Sequence, residues 1–460
     1  MPSLGLAMIV KNAAGTLRDC IQSVAGLVDQ IVIADTGSND GSPQLARNFG
    51  AEVFDSPWQD DFSQARNAAL KALTTDWVLV LDDDEELDPG ARSKIPSLLE
   101  NIAVGGYLVT LRNYIPVKFA SGGHAPSIKS NDSTMPRARK ARAYADFANC
   151  RLFRRHRHIY FVGRVHEHVE PCIRALGLEL ATGNFVIHHF GHLCSPGELR
   201  AKNEFYRNLG RLKVKEMPND PDAWIELGLQ EYEQFRNYSG GIECLKRALT
   251  LNPAYPSVPT LSLATLYVEI QADDLALELL SRAAFTGRAG AEKQNICGDA
   301  FYNLGRLKEA RAAYLCALRV LSEDPRIVSK LGLTEVRLGL KKSGLTRLTK
   351  ALNENPELFE MHDRLIKGYI LANMMAEAAD TAESLAIALP NAATISRAAS
   401  IRAQMKEWRA AERIVLRGLE LFPEDHALAE TRAELQREIR RTAEPSHSAA
   451  HFTITGYQSS

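Results

Sequence analysis

A chain of 460 residues is long enough for two or three domains that each bury a hydrophobic core. Its 55 Lys and Arg residues nearly balance its 56 Asp and Glu residues, so a net charge of -1 indicates neither a nucleic-acid partner nor a membrane surface. The seven scattered cysteines form no C-x-x-C pair, and neither a secretory leader nor an apolar run of about 18 residues is present. These features exclude a disulfide framework and predict a cytoplasmic protein without a transmembrane segment.

Short apolar runs alternate with amphipathic stretches up to about residue 195. The predicted strands are Leu4–Val10, Gln30–Asp35, Ala51–Asp55 and Trp77–Asp82, and the predicted helices are Thr16–Val24, Pro43–Phe49 and Gln64–Leu73. This alternation predicts an α/β domain over residues 1–195 with a mostly parallel sheet covered on both faces. Three of the strands end on an aspartate (Asp35, Asp55 and Asp82), and open parallel sheets bind ligands at the carboxyl ends of their strands.

The last of these strands runs directly into five acidic residues, Asp82 to Glu86. Like charges this close repel one another unless a cation neutralises them. Hard divalent cations prefer oxygen ligands, and Asp82-x-Asp84 at a strand end offers two carboxylates for Mg²⁺ or Mn²⁺. The alternative is an acidic helix start, in which the carboxylates complement the dipole of a helix beginning near Pro89. The motif by itself is too short to decide between the two.

After about residue 195 the pattern predicts helices only. Pro356, Pro390 and Pro423 follow predicted helix pairs at spacings of 34 and 33 residues, and Trp224-Ile-Glu-Leu-Gly228 has a Trp-x-x-Leu-Gly opening. This pattern resembles the tetratricopeptide repeat and predicts an all-α helical solenoid over residues 196–441. Such arrays bind proteins, so a protein partner or self-association through the repeats is expected. Residues 442–460 are rich in Ser, Thr and His without periodicity and predict a disordered tail.

Four N-terminal segments resemble the family 2 glycosyltransferases in residues and in order. The segments are Met8–Asn12, Ile31–Ser42, Ala65–Asn67 and Val80–Glu85. The resemblance implies a Rossmann-like GT-A fold and an inverting, Mn²⁺- or Mg²⁺-dependent transfer from a nucleotide-diphosphate sugar. It implies nucleotide or sugar contacts for Asn12, Asp35, Arg66, Asn67 and Asp82, and a metal contact for Asp84. Many members have two aspartates where this chain has Asp35-Thr36, which leaves the selectivity for the nucleobase open.

Two segments rich in histidine complete the predicted site: Gly163–Pro171 and Val186–His192. In the first, His166 and Glu167 are predicted on a strand, where they would present a general base or a metal ligand to the cleft. The alternative for some of the histidines is a packing or surface role. Glu167 is the preferred base and His166 the second candidate, while His189 is a weaker candidate for the site. The spacing is not H-E-x-x-H, so a zinc protease is not supported. Arg151 and Arg154 would balance diphosphate charge, or they would occupy an exposed strand face.

The acceptor is left open between a saccharide, a lipid-linked glycan and a peptide. Residues 118–144 are predicted to be a long basic loop, whose Lys129, Arg137, Arg139, Lys140 and Arg142 would suit an anionic acceptor or form a solvated insertion. A different function is a tetratricopeptide-type scaffold with an inactive transferase domain, although the intact acidic motif argues against it. A nucleotidyltransferase would also use an acidic metal site, but Lys11–Arg18 is a poor version of the Gly-rich basic loop it needs.

Overall fold

A computed structural model describes residues 1–115, 129–131, 133–141, 143–356 and 358–443. The N-terminal elements are β1 (Leu4–Val10), α1 (Leu17–Val24), β2 (Gln30–Asp35), α2 (Ser42–Asn48), β3 (Glu52–Asp55), α3 (Phe62–Ala72), β4 (Trp77–Val80), β5 (Glu85–Leu87), α4 (Ala91–Leu99), β6 (Val104–Ile115), β7 (Lys129–Ser130), β8 (Ala143–Arg154), α5 (Glu170–Ala175) and β9 (Glu179–His189). The seven elements predicted up to Asp82 are all present, each with its ends within two residues of the prediction. Strand β4 ends at Val80, so Asp82 lies in the turn that follows it.

The strands of the described residues form one mixed sheet in the order β3-β2-β1-β4-β8-β6-β9-β5, with β7 paired to β8. Strands β1 to β4 pair with one another in parallel, as predicted for the first 80 residues. The second half adds antiparallel pairs, β4 with β8, β8 with β6 and β9 with β5, around one parallel pair of β6 with β9. The α/β prediction is confirmed, but an entirely parallel arrangement is found only among β1 to β4, so the sheet as a whole is mixed.

Both faces of the sheet are covered, as predicted. Along β1 the side chains of Leu4, Leu6, Met8 and Val10 join the hydrophobic cluster that contains α1, whereas Ala7 and Ile9 join the cluster that contains α3. Successive side chains of a strand point to opposite faces, so a strand with helices on both faces must be apolar throughout. All seven residues of β1 are buried, which fixes this strand in the middle of the sheet.

After β9 the described residues form helices only. They are α6 (Pro196–Glu216), α7 (Pro221–Glu233), α8 (Tyr238–Thr250), α9 (Ser257–Glu269), α10 (Asp273–Ser281), α11 (Gly287–Asn303), α12 (Leu307–Leu318), α13 (Pro325–Arg337), α14 (Lys341–Glu354), α15 (Phe359–Leu371), α16 (Met375–Ala388), α17 (Ala392–Gln404), α18 (Trp408–Leu421) and α19 (His426–Ala443). Helix α6 begins at a capping box, in which Ser195 and Glu198 satisfy each other's backbone N–H groups. The described helices include none that is both long enough and apolar enough to span a membrane.

The repeat prediction is confirmed in its local geometry. Pro356, Pro390 and Pro423 each lie two residues after the end of a helix, because proline cannot continue an α-helix. Small residues allow paired helices to approach closely: a Cβ on Gly344 would lie 2.5 Å from the carbonyl oxygen of Gly332, so this helix crossing tolerates only glycine. The result is a tetratricopeptide-like series of antiparallel helix pairs.

The chain divides into two compact units, Met1–Phe285 and Thr286–Ser460. The change from strands to helices lies earlier, between His189 and Pro196. The predicted boundary at residue 195 between a catalytic and a helical domain therefore stays a prediction. Of the predicted tail, residues 442 and 443 end helix α19, and the remainder lies outside the described residues.

Candidate functional site

The candidate site lies where β1, β2 and β4 end. These three strands are parallel neighbours, so their carboxyl ends meet at one edge of the sheet. Asp35 is the last residue of β2, and Asp82 to Asp84 form the turn between β4 and β5. The predicted acidic residues are thus brought together at the edge where open sheets bind ligands.

A buried network of charges surrounds Asp82. The Nη2 atom of Arg66 lies 2.7 Å from Oδ1 of Asp82, and Nε of the same guanidinium donates to Oε1 of Glu167. From strand β8, Nη2 of Arg151 lies 3.2 Å from Oδ2 of Asp82 and 2.8 Å from Oε1 of Glu85. Arg66 is 7% exposed and Glu85 is fully buried. Two arginines, whose pairing with these acids the sequence did not predict, therefore form ion pairs with three carboxylates.

This network separates the pKa values of the acidic residues. Burial raises the pKa of Asp82, but Arg66 and Arg151 outweigh it and hold that pKa well below its ordinary range. Burial raises the pKa of Glu85 to about 7 against the influence of Arg151. Burial and the neighbouring Asp84 raise the pKa of Asp83 to about 6. Asp82 is consequently an ionised group at neutral pH, whereas Asp83 and Glu85 titrate near neutrality.

Asp84 points away from the two arginines toward His189 and Lys202. Its Oδ1 atom lies 3.5 Å from Nε2 of His189, and its Oδ2 atom lies 4.0 Å from Nζ of Lys202. The Nδ1 atom of His189 lies 2.6 Å from Oδ1 of Asn113. The amide oxygen accepts a hydrogen bond from the Nδ1–H group, so Nε2 faces Asp84. A Cβ on Gly191 would collide with both the Asp84 carboxylate and the His189 ring, so glycine keeps this corner open.

Asp84 and His189 are adjacent side chains whose chemistry suits a divalent cation. Within the described ranges, no group of three or more His, Cys, Asp or Glu side chains is arranged to hold a metal ion. Mg²⁺ and Mn²⁺ sites commonly take one or two protein ligands and complete their shell with water and substrate phosphates. A carboxylate beside an imidazole whose second nitrogen is fixed by an amide oxygen fits that pattern. The predicted metal role of Asp84 stays a prediction, as does the need for Mn²⁺ or Mg²⁺.

Asn12 and Asp35 fix two neighbouring turns against each other. Asp35 is buried and accepts from the backbone N–H groups of Gly37 and Ser38 at 3.3 and 3.0 Å, as well as from the Ser38 hydroxyl. Asn12 has a φ of 55°, and its Oδ1 atom accepts from the backbone N–H of Asn39 at 2.8 Å. Their predicted contacts with the nucleotide stay predictions, and their visible role is to shape the turns.

Asn67 holds the chain that precedes the His-Glu segment. Its side-chain amide donates to the carbonyl oxygen of Phe161 at 2.9 Å and accepts from the N–H of Phe161 at 2.8 Å. Both halves of the amide are thus engaged by one backbone residue. The structure gives Asn67 a positioning role, and its predicted contact with the nucleotide sugar stays a prediction.

The predicted strand at His166 and Glu167 is wrong. Residues 163–167 form an irregular loop, closed by an isolated bridge between Val162 and His168. His166 has a φ of 53°, a left-handed conformation that regular strands do not contain. The loop brings Glu167 onto Arg66, while His166 is exposed and stacks on Tyr206 with ring centroids 6.2 Å apart. Glu167 and His166 are therefore both at the site, although not through strand alternation.

Helix α6 contributes two residues that the sequence motifs missed, Lys202 beside Asp84 and Tyr206 beside His166. Burial and the charges of Asp82 and Glu167 raise the pKa of the Tyr206 phenol, so its hydroxyl stays protonated. The two residues are four apart and therefore lie on one face of the helix. The spacing of four residues could have indicated that Lys202 and Tyr206 share a face of α6. It does not indicate which part of the chain that face contacts.

The basic segment is only partly within the described residues. Arg137 lies 2.9 Å from Oε1 of Glu86 and packs over the ring of Phe190, so it braces the acidic turn. Arg139 and Lys140 are exposed, and residues 116–128 and Arg142 lie outside the described residues. Arg154 donates to the carbonyl oxygen of Val104 at 2.8 Å and packs over Trp77, so its guanidinium is engaged away from the acids.

Comparisons with known proteins find a matching family and several similar proteins. Residues 6–158 match the model of a family described as glycosyl transferase family 2. A segment of 100 residues is 45% identical to a TPR repeat-containing protein of Synechococcus elongatus and spans 22% of this chain and 25% of that protein. Another of 95 residues is 32% identical to an uncharacterized glycosyltransferase of Rickettsia felis, spanning 21% of this chain and 33% of that protein.

A longer match is more distant. Over 253 residues the chain is 22% identical to the SPbeta prophage-derived glycosyltransferase SunS of Bacillus subtilis, covering 54% of this chain and 53% of that protein. The chain thus spans a quarter to about half the length of these curated relatives. A tetratricopeptide repeat protein of Parabacteroides merdae is similar in structure with a TM-score of 0.41 and 14% identity, covering 52% of this chain and 93% of that one.

Proposed function

Because residues 6–158 match the model of glycosyl transferase family 2, we propose that the protein is a metal-dependent, inverting glycosyltransferase. It would move a sugar, of hexosyl type, from a nucleotide-diphosphate sugar to a saccharide, lipid-linked glycan or peptide acceptor. The observation that carries the proposal is the buried Arg66, which joins Asp82 at the strand ends to Glu167 in the His-Glu loop. Arg66 thus links Asp82, which would contact the donor, to Glu167, which would act on the acceptor.

The donor would lie along the strand ends. Asp35 accepts three hydrogen bonds from its own turn, and a carboxylate has about four acceptor sites, so one remains for a nucleobase N–H or a ribose hydroxyl. The Nη1 atom of Arg66 is buried and has no hydrogen-bond partner among the described residues. An unpaired buried donor is costly, and a phosphate or sugar oxygen of the donor would satisfy it.

Asp84 and His189 would hold Mn²⁺ or Mg²⁺, which when bound would neutralise charge on the departing diphosphate. Lys202 would add a second positive charge from helix α6, because its ammonium lies 4.0 Å from the Asp84 carboxylate and is 36% exposed. Asp82, kept ionised by its two arginines, would accept from a ribose or sugar hydroxyl. These residues orient the donor so that its anomeric carbon faces the acceptor.

Glu167 would act as the general base. Arg66 orients its carboxylate, as an orienting partner does for a catalytic base. The acceptor oxygen would attack the anomeric carbon as its proton passes to Glu167. The bond to the diphosphate would break in the same step and leave its electron pair on the diphosphate. His166 is the second candidate for this role, because its exposed imidazole lies next to Glu167 in the chain.

The helical repeats are proposed to bind a protein partner or a second copy of the chain. A cavity of about 920 Å³ supports this proposal, since it is lined largely by apolar and basic residues of the segment from Leu318 to Glu354.

A screen of nucleotide sugars by thermal shift, with and without Mn²⁺, tests the transferase proposal. A ligand that binds only the folded state raises the melting temperature by mass action. We expect one donor to raise it and the rise to depend on Mn²⁺. A sensitive assay would then detect slow hydrolysis of that donor. If no nucleotide sugar produces either a shift or hydrolysis, the proposed function is wrong.

A further inference from the structure

Five aromatic rings form a continuous cluster beside the candidate base. Trp58 contacts Phe62 and Phe205 with ring centroids 4.8 and 5.7 Å apart, and Phe62 stacks on Tyr206 at 5.7 Å. Tyr206 in turn stacks on His166 at 6.2 Å with an angle of 13° between the ring planes. We call Trp58, Phe62, Phe205, Tyr206 and His166 the aromatic platform. It joins the start of α3, the middle of α6 and the His-Glu loop.

The platform is open to solvent rather than part of a closed core. Phe205 is 39% exposed, His166 is exposed, and Trp58, Phe62 and Tyr206 are partly exposed. Large aromatic residues usually bury most of their surface, and partly exposed ones with a polar tip are frequent where a ligand or partner binds.

The position of the platform indicates which substrate would lie on it. Phe62 is four residues before Arg66, so both project from the same face of α3. His166 is the neighbour of Glu167 in the chain. The donor groups Asp35 and Asp84 belong instead to the strand ends and to the acidic turn. A molecule on the platform would therefore present its nucleophile to Glu167, which is the place of the acceptor.

The rim of the platform is polar and planar. The amides of Gln59 and Gln64 bond to each other at 2.9 Å, and Asp60 accepts from the Trp58 indole N–H at 2.9 Å. Arg164 donates to the carbonyl oxygen of Asp60 at 2.6 Å. A pyranose ring has an apolar face of C–H groups and an edge of hydroxyls. Its face suits an aromatic ring and its edge suits planar amides, carboxylates and guanidinium groups.

We propose that the aromatic platform binds a pyranose ring of a saccharide acceptor. This inference rests on the proposed function, because an acceptor subsite has meaning only if the site transfers a sugar. It narrows the acceptor to the saccharide class, and it makes Trp58 and Phe205 binding residues.

The test compares Trp58→Ala, Phe205→Ala and Trp58→Phe with the wild type in the full-length protein. Transfer from the donor identified by thermal shift is followed by mass spectrometry, with methyl pyranosides of glucose, galactose, mannose and N-acetylglucosamine as acceptors. We expect KM for the acceptor to rise about tenfold in both alanine variants, since losing a stacked ring costs about a factor of ten. Trp58→Phe keeps a ring and should recover most of the affinity.

Tyr255→Ala is the matched control, because Tyr255 is 73% exposed in the same compact unit and belongs to no part of the site. Circular dichroism shows whether each variant is folded, and Phe205 supplies a second, more exposed position if Trp58→Ala does not fold. Intrinsic tryptophan fluorescence gives a readout without turnover: a bound pyranoside should shift the emission of the wild type and not that of Trp58→Phe.

The outcomes separate this inference from the proposed function. If the wild type neither binds nor hydrolyses any donor, the proposed function is wrong, and the inference that rests on it is wrong as well. If the wild type hydrolyses a donor but no pyranoside accepts the sugar or shifts the emission, only the platform inference is overturned. An unchanged KM in both alanine variants overturns it as well. Transfer to peptides but not to pyranosides, impaired in the alanine variants, would assign the platform to a peptide acceptor and refute the saccharide class.

Discussion

At the scale of single residues, the arginines decide how the acidic turn is used. Arg66 and Arg151 lie within 3.2 Å of Asp82, and Arg151 also pairs with the fully buried Glu85. A buried carboxylate without such a partner would be strongly destabilising. Of the consecutive acids, Asp84 is the one whose carboxylate faces His189 and Lys202 instead of these arginines. In the proposed function the site would therefore divide its acids between charge pairing with arginines and ligand binding.

Asp84→Asn should abolish transfer and the Mn²⁺-dependent part of donor binding while the fold is retained. The amide keeps the shape of the side chain but removes the charge that would hold a cation. Transfer should fall at least about 100-fold, and the thermal shift caused by the donor should become independent of Mn²⁺. Asp19→Asn on the exposed surface of α1 is the control. Normal turnover in Asp84→Asn would exclude this residue as a metal ligand.

Glu167→Gln should lower transfer by about 100-fold or more, because general-base catalysis contributes about that factor. The glutamine still accepts a hydrogen bond from Arg66, so donor binding measured by thermal shift should change little. Glu179→Gln, at an exposed position in the same domain, provides the control. Undiminished transfer would mean that another group accepts the proton, and His166→Ala would be the next variant to measure.

At the scale of secondary-structure elements, helix α6 connects the loop of residues 163–167 with the helices that follow. Arg164 in the loop pairs with Glu216 of α6, and Lys213 lies 3.2 Å from the carbonyl oxygen of Val165 and 2.6 Å from Glu226 of α7. Glu231 of α7 forms ion pairs with Arg207 and Arg211 of α6 at 2.6 and 2.9 Å. The position of Tyr206 and Lys202 thus depends on charge pairs along both faces of one helix.

Glu231→Gln should destabilise the protein at neutral pH. At acidic pH the variant should be almost as stable as the wild type. Burial raises the pKa of Glu231, but hydrogen bonds from Arg207, Asn237 and Arg211 outweigh it and lower the pKa below its ordinary value of 4.5. A lowered pKa in the folded state means that the carboxylate contributes stability above pH 4.5 and loses it as the pH falls through the folded value.

Urea denaturation at pH 7 and at pH 4 measures this difference. Since Arg207 and Arg211 are partly exposed, the variant should be less stable by about 1.5 kcal/mol at pH 7. The difference between wild type and variant should shrink at pH 4. Glu243→Gln, an exposed glutamate of α8, should behave like the wild type at both values. An equal loss at both values would show that the charge of Glu231 contributes nothing.

At the scale of the whole molecule, the compact unit that contains the site is Met1–Phe285. It includes the sheet and helices α6 to α10, whereas Thr286–Ser460 includes α11 to α19. In helical repeats each pair contacts mainly its neighbours, so an array can be divided between repeats with modest loss. Cutting the chain before α6 should have a larger effect, because Lys202 and Tyr206 of the candidate site belong to α6.

A fragment of residues 1–285 should fold and hydrolyse the donor, whereas residues 1–195 should not. The shorter fragment lacks helix α6, and with it the ion pairs of Arg164 and Lys213 and the ring of Tyr206. Circular dichroism and donor hydrolysis of both fragments check this. Residues 286–443, expressed alone, should melt cooperatively as a helical array. Hydrolysis by residues 1–195 at the full-length rate would contradict a catalytic role for α6.

The sequence by itself determined the first seven elements, the helical repeats and the edge of the sheet at which the candidate site lies. Strand β1 is apolar throughout because it is covered on both faces, and the prolines after α14, α16 and α18 end those helices by their missing N–H. Local sterics and hydrophobic periodicity dictate such features. The gathering of Asp35 and Asp82 at one edge follows from parallel neighbouring strands in the same way.

Only the tertiary structure decided which charges meet. Arg66 and Glu167 are 101 residues apart, and Arg151 reaches Asp82 from an antiparallel strand, so no local pattern encodes their contact. The same holds for Tyr206, whose helix the sequence assigned to the repeats although its ring stacks on His166. The strand prediction at His166 failed because an alternating His-Glu-His spacing does not reveal a left-handed φ. Long-range packing sets these contacts, and the sequence specifies them only through the complete fold.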